Sequence, residues 1–142
     1  MFTVFFLVAA GACLSCGRDP GETSHRFIDG AVVETTDSAF VHDVLDPGRP
    51  AVVYYRAFGC IPCAMLGPHV KKLAARYTGR VAFWSLDMGW SAERVRRYDV
   101  RVVPMLVFYS HGQEIVRQVG MPTPATDDSL ALIVEEGLRA SR

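Results

Sequence analysis

The sequence predicts an α/β domain in which helices flank a central mixed β-sheet. From residue 31 onward, short apolar runs of strand length alternate with longer segments whose apolar residues recur at helical spacing. Two strand-like runs between residues 105 and 119 are separated by a short turn, and a last helix-like segment follows them. Parallel crossovers followed by a terminal hairpin and a closing helix are typical of this fold class.

The first elements are short. The run "AVVETT" within residues 27–36 predicts a first strand, and Asp37 is suited to cap a helix over residues 38–45. The sequence "DPGRP" ends that helix. Residues 51–57, "AVVYYRA", are β-branched and aromatic, as expected of a buried central strand.

The longest predicted helix runs from Cys60 to the stop at Gly79. Its apolar stripe consists of Leu66, Val70, Leu73 and Tyr77. Pro68 falls inside this helix, where it removes a backbone hydrogen bond and predicts a kink. The remaining predicted elements are a strand at residues 81–86, a helix at 91–98, a hairpin of strands 105–110 and 114–119 turning at Gly112, and a helix at 127–138.

Length and charge bound the function. A chain of 142 residues fits one domain, which can form its core without disulfides. Fifteen basic and fifteen acidic residues cancel, and no dense basic block occurs, so nucleic acid is not an expected partner. We divide the chain into a leader at residues 1–16, a linker at 17–30 and a domain at 31–142.

The leader predicts export. Residues 1–12, "MFTVFFLVAAGA", are uncharged and almost wholly apolar, but shorter than the roughly 20 residues of a spanning helix. The small residues before Cys13 resemble a lipobox and predict lipid attachment at Cys13, while Ala10-Gly11-Ala12 also suits ordinary signal cleavage. A buried N-terminal segment is the alternative. The expected location is therefore periplasmic, or membrane-anchored through an N-terminal lipid.

The cysteine pair Cys60 and Cys63 carries the predicted chemistry. Cys60 falls where a buried strand passes into a helix, so its sulfur meets unpaired N–H groups and the positive end of the helix dipole. Such a position stabilises the thiolate, the attacking species. Cys63 lies one turn further on the same face, within disulfide reach, and Pro62 stiffens the first turn. Cys13 and Cys16 have the same spacing, but between a leader and a linker, and Cys16 is interpreted as a bystander.

From about residue 37 to 138 the sequence resembles the thioredoxin family. The resemblance rests on "CIPC" at residues 60–63, Pro68, Asp87, "VVP" at residues 102–104, Gly112 and Gly120, in that order. It implies a thioredoxin-like fold, a cis bond before Pro104, and a backbone at Val103 that pairs with a substrate peptide. Ile61 and Pro62, between the cysteines, are then part of the substrate-binding surface, and Cys60 and Cys63 form the catalytic disulfide.

The sequence departs from the thioredoxins proper around the dithiol. Tyr54 stands where they have a buried aspartate that handles protons, and Gly59 stands where a tryptophan is usual. Ile61 and Pro62 replace Gly-Pro, and Met105 replaces a threonine. These departures favour a specialised exported relative. Arg56 is interpreted as a solvated or core-rim side chain, with added positive potential near the dithiol as the alternative.

The expected activity is thiol–disulfide exchange with exported protein substrates, as a reductant recharged by a membrane electron donor, and it needs no cofactor or metal. The reducing direction is implied only by the family resemblance. Two alternatives remain open: a redox-inactive binding module or chaperone, and copper handling by Cys60 and Cys63. Structural zinc would need more ligands than this pair, and His69, the nearest candidate, is interpreted as solvated.

Overall fold

The computed structural model describes residues 27–89 and 91–142. It contains five strands: β1 (Val32–Glu34), β2 (Ala51–Arg56), β3 (Ala82–Asp87), β4 (Met105–Ser110) and β5 (Gln113–Val119). Three α-helices, α1 (Ile61–Arg76), α2 (Ala92–Tyr98) and α3 (Asp127–Ala140), and a short π-helix at Val41–Leu45 complete the described fold. The predicted leader, most of the linker, and Cys13 and Cys16 lie outside the described residues.

The strands form one mixed sheet in the order β1-β3-β2-β4-β5. β1, β3 and β2 run parallel, whereas β4 is antiparallel to both β2 and β5. The central strand β2 is therefore hydrogen-bonded on both sides, and its first five residues are buried. This confirms the predicted mixed sheet with a terminal hairpin.

The two faces of the sheet support two separate cores, and β2 alternates between them. Val52 and Tyr54 pack with α1 and α3 on one face. Val53 and Tyr55 pack on the other face with α2 and with residues around the π-helix, such as Phe40. Because side chains of a strand alternate with a period of two, Tyr54 necessarily points to the same side of the sheet as α1.

Helix α1 follows the prediction closely. All four residues of the apolar stripe, Leu66, Val70, Leu73 and Tyr77, are buried. Pro68 lies within the helix as expected. The glycine before it, Gly67, has no Cβ to meet the proline ring, which relieves the restriction that a residue before proline otherwise suffers in a helix.

The region of residues 37–45 differs from its prediction. The helix is a single π-helical turn, and Asp37 does not cap it. Its carboxylate instead accepts hydrogen bonds from the Tyr98 hydroxyl, at 2.9 Å, and from Arg94. The Asp37 carboxylate, which the sequence predicted as a helix cap, is thus bound by side chains of α2 instead.

The β4–β5 hairpin turns through His111 and Gly112, both at positive φ, with Ser110 opposite Gln113. A two-residue turn with both residues at positive φ matches the right-handed twist of the paired strands. The loop before β4 carries a cis bond between Val103 and Pro104, as the family resemblance implied, and a second cis bond precedes Pro124. Within residues 27–142, leaving out residue 90, no helix has the length and apolar character needed to cross a bilayer.

Gly137 of α3 is required by packing. A Cβ at this position would come within 2.3 Å of the ring of Phe108, which is fully buried in the core beneath α3. We expect Gly137→Ala to lower the free energy of unfolding by about 1–3 kcal/mol, because overpacking outweighs the helix-propensity gain of up to about 1 kcal/mol. Urea unfolding of the disulfide-bonded protein measures this change in the free energy of unfolding.

The matched control is a double-mutant cycle with Phe108→Ala, which removes the ring carbons that the added Cβ would meet. The double variant should lose less stability than the sum of the two single variants. Increased stability of Gly137→Ala alone would contradict this account of the α3 contact.

Candidate active site: the Cys60–Cys63 pair

The cysteine pair lies at the start of α1, immediately after the loop that leaves β2. Cys60 is the N-cap residue, with an extended backbone, and Pro62 lies in the first turn. The backbone N–H of Cys63 donates to the Cys60 sulfur at 3.2 Å. The sulfur of Cys60 therefore receives one of the N–H groups that the helix leaves unpaired, which favours negative charge on this atom when the pair is reduced.

The two sulfurs are joined in a disulfide, with Cα atoms 5.2 Å apart. Their surroundings are unequal: Cys63 is 5% exposed and belongs to the core under α1, whereas Cys60 is half-buried at its edge. An incoming sulfur atom thus meets Cys60 before Cys63. The asymmetry assigns attack on substrate to Cys60 and internal closure to Cys63.

The loop before β4 brings Val103 and Pro104 to the disulfide. The Cys60 sulfur lies 3.9 Å from the carbonyl oxygen of Val103. Pro104 is buried, and its carbonyl accepts from the N–H of Gly120, at 2.9 Å, which ties the loop to the end of β5. The fold thereby brings Cys60 and Val103, more than 40 positions apart, close together, as the resemblance to the thioredoxin family implied.

Four exposed apolar side chains lie close in sequence to the cysteines or to Val103. Phe58 is 92% exposed, Ile61 73%, Met65 59% and Val102 49%. We call these four residues the apolar rim. Pro62 is exposed beside them. Ile61 and Pro62 were predicted from the sequence, whereas Phe58, Met65 and Val102 were not. Two signals were available: Met65 lies off the buried stripe of α1, and Phe58 directly precedes Gly59-Cys60.

Tyr54 occupies the space behind Cys63. Its side chain is buried, and its hydroxyl donates to the backbone carbonyl of Cys63 at 2.7 Å. Burial raises the pKa of Tyr54 to about 12, with a smaller opposing effect of the positive charge on Arg56. The sequence showed that Tyr54 stands where the thioredoxins proper have an aspartate, but not that the tyrosine side chain contacts the backbone of Cys63.

Arg56 lies at the carboxyl ends of the parallel strands. It donates to Glu34 at the end of β1 and to Asp87 at the end of β3, both at 3.2 Å. About a third of the Arg56 side chain is exposed, and the residue lines a cleft together with both cysteines. Beside it, a cleft of about 590 Å³ opens between α1 and strands β1 to β3, and both cysteines line it.

Among the described residues, no group of three or more His, Cys, Asp or Glu side chains could hold a metal ion. The sequence suggested that His69 is simply solvated. In the structure its Nδ1 instead lies 2.5 Å from a carboxylate oxygen of Asp127, at the start of α3. This contact lowers the pKa of Asp127. His69 links α1 to α3.

Comparisons with known proteins agree with this geometry. A sequence model described as thioredoxin matches residues 31–135. The chain is 29% identical over 111 residues to thioredoxin C-2 of Corynebacterium nephridii, covering 78% of this chain and 100% of that protein. It is 31% identical over 90 residues to a thioredoxin of Mycobacterium tuberculosis, covering 63% of this chain and 78% of that protein.

The fold is also that of a solved thioredoxin. The crystal structure of thioredoxin f from spinach chloroplast (long form) superposes with a TM-score of 0.68 and 26% identity, covering 78% of this chain and 89% of that chain. The match to the family model, the shared fold and the CxxC pair at the head of α1 all point to the same chemistry. The chain belongs to the thioredoxin family and is a thiol–disulfide oxidoreductase.

Proposed function

We propose that the protein is an exported thiol–disulfide reductant that keeps cysteines of other exported proteins in the dithiol state. The observation that carries the exchange reaction is the unequal pair at the head of α1: an accessible Cys60 sulfur that receives an N–H, and a buried Cys63 one turn away. The remaining points of the proposal rest on the sequence of the leader and on the family.

The proposed reaction has two steps. The Cys60 thiolate attacks one sulfur of a substrate disulfide, so that a Cys60–substrate disulfide forms and the other substrate sulfur leaves as a thiolate. Cys63 then loses its proton and attacks Cys60, which releases the second substrate sulfur and closes the Cys60–Cys63 disulfide. The substrate gains two electrons and two protons, and the protein is recharged by two electrons from a membrane electron donor.

Substrate binding is proposed at the surface formed by Val103, Pro104, Ile61 and Pro62 together with the apolar rim. The backbone of Val103 directly precedes β4 and lies beside the Cys60 sulfur, so an extended peptide placed along it presents its cystine to Cys60. The exposed side chains of the apolar rim supply contact area that a largely apolar peptide segment would bury.

The direction of electron flow is proposed from the family. Reduction potentials near −270 mV for thioredoxin and near −120 mV for a strong periplasmic oxidant differ by about 150 mV, roughly 7 kcal/mol for two electrons. The difference reflects how far the reduced form is stabilised. The relatives reported above are thioredoxins, which favours the more negative value.

Cysteine replacement tests the exchange reaction. In a chain also carrying Cys13→Ser and Cys16→Ser, we expect Cys63→Ser to accumulate a stable Cys60–substrate disulfide, because the closing thiol is missing. Cys60→Ser should form none, because the buried Cys63 is poorly accessible. Non-reducing gels and mass spectrometry after mixing with oxidised insulin measure both, and the chain with Cys60 and Cys63 intact is the control for turnover. Full turnover by either single variant would contradict the proposal.

Equilibration with glutathione buffers tests the direction. We expect a midpoint potential of about −270 mV for the Cys60–Cys63 couple. Alkylation of the free thiols followed by mass spectrometry measures the fraction of each redox state. A midpoint above about −150 mV would instead make the protein an oxidant.

Identifying the first residue of the mature protein tests export. Expression in a bacterial host followed by mass spectrometry should find a chain that begins at or just before Cys13, with a lipid on Cys13 if the lipobox resemblance is functional. The matched control is Cys13→Ser, which should lose the lipid while the folded domain remains intact. An intact chain beginning at Met1 in the cytoplasmic fraction would contradict export.

A further inference from the structure

Tyr54 connects the central strand to the turn that carries the cysteines. It is 5% exposed, and its hydroxyl donates to the Cys63 carbonyl at 2.7 Å. That carbonyl belongs to the first turn of α1, so the bond joins β2 to the helix end that positions both sulfurs. A buried hydrogen bond of this kind restrains the turn, because breaking it would leave the buried hydroxyl of Tyr54 without its partner.

Among the described residues, no acid lines the space beside Cys63. The cleft between α1 and strands β1 to β3 is lined by Cys63, Tyr54, Ser85 and apolar side chains, with Arg56 and Lys71 as the charged residues. The nearest acids of the strands, Glu34 and Asp87, are paired with Arg56. No carboxylate therefore lines this cleft among the described residues.

Acids on the other side of α1 are also paired. On α3, Asp127 contacts His69 and Lys72, and Asp128 contacts Arg76. Glu135 of the same helix accepts from the hydroxyl of Tyr77 and lies 3.7 Å from Arg80. These contacts hold α3 against the later turns of α1, away from the turn that carries the cysteines.

The groups that do line the cleft are unsuited to accept a proton. Guanidinium and ammonium groups are donors only. Burial raises the pKa of Tyr54 to about 12, so its phenol keeps its proton at physiological pH. The cleft itself is open, and Cys63 lines it whereas Val103 does not.

We propose that Tyr54 is a positioning residue of the dithiol, and that Cys63 loses its proton directly to solvent in the cleft, without a base supplied by the protein. The inference rests on the proposed exchange at Cys60 and Cys63. In the closing step, the Cys63 proton passes to solvent and the resulting thiolate attacks Cys60. The Cys63–Cys60 bond forms, the Cys60–substrate bond breaks, and the substrate sulfur leaves as a thiolate that takes up a proton.

The test compares Tyr54→Phe with Tyr54→Asp, both in the full chain with Cys13→Ser and Cys16→Ser. The reduced protein is mixed with the aromatic disulfide dithiobis(nitrobenzoate) in a stopped-flow instrument across a pH series. The first coloured thiolate reports attack by Cys60, and the second reports closure by Cys63. The two steps of the reaction are thus observed separately.

For the chain with Tyr54 we expect the closure rate to show one inflection, rising about tenfold per pH unit below it, as for a single thiol. Tyr54→Phe should keep the same inflection pH and lower the plateau several-fold, because it loses only the positioning bond. Tyr54→Asp should move the inflection to higher pH and add a second, coupled ionisation, because a buried carboxylate disfavours the neighbouring thiolate.

A changed inflection pH in Tyr54→Phe would overturn the inference, since it would show that the hydroxyl takes part in proton transfer. Two coupled inflections in the chain with Tyr54 would overturn it as well, since they would reveal a base in the protein. Both results leave the proposed function intact. Absence of the first thiolate from that chain overturns the exchange reaction itself and the inference with it.

A second variant tests the path to solvent independently of Tyr54. Ala64 lines the cleft, whereas Ala75, on the same helix, is exposed and does not line it. In a Cys60→Ser background, Ala64→Leu should slow alkylation of Cys63 by iodoacetamide several-fold, and the matched control Ala75→Leu should leave the rate unchanged. Equal rates in the two variants would overturn the assignment of the cleft as the path.

Discussion

The structure depends most on the placement of one sulfur atom at the start of α1. Cys60 caps the helix, and its sulfur accepts the N–H of Cys63, a residue to which it is also covalently joined. Unpaired N–H groups at a helix start favour negative charge, and negative charge on sulfur makes it a nucleophile. Strand β2 and helix α1 place this atom at the surface while keeping its partner in the core.

The central position of β2 explains why the site is rigid on one side and open on the other. β2 is paired on both edges, and Val52 and Tyr54 lie against α1. The bond from Tyr54 to the Cys63 carbonyl holds the first turn of α1, and the bond from Gly120 to Pro104 holds the loop that meets it at the disulfide. The apolar rim, by contrast, is exposed, and the reactive sulfur is therefore fixed while its surroundings are available for contact.

The replacement of the buried acid changes the electrostatics without disturbing the fold. A carboxylate behind the second thiol would couple its own titration to that of the cysteine. Tyr54 fills the position with a neutral group that still reaches the backbone of the turn. Among the described residues, the charged side chains that line the cleft beside Cys63 are then Arg56 and Lys71.

The sequence by itself determined the order of elements, the apolar stripe of α1, the hairpin turn at Gly112 and the redox pair, because each of these depends on residues close together in the chain. The cis bond before Pro104 followed from resemblance to a family, since the residue types alone do not distinguish the two isomers. Asp37 was misassigned as a helix cap, because its partners on α2 are distant in sequence. Only the tertiary structure decided that Tyr54 contacts Cys63, that Val103 lies beside Cys60, and that Phe58, Met65 and Val102 are exposed around the site, because these facts depend on how α1, β2 and the loop before β4 pack together.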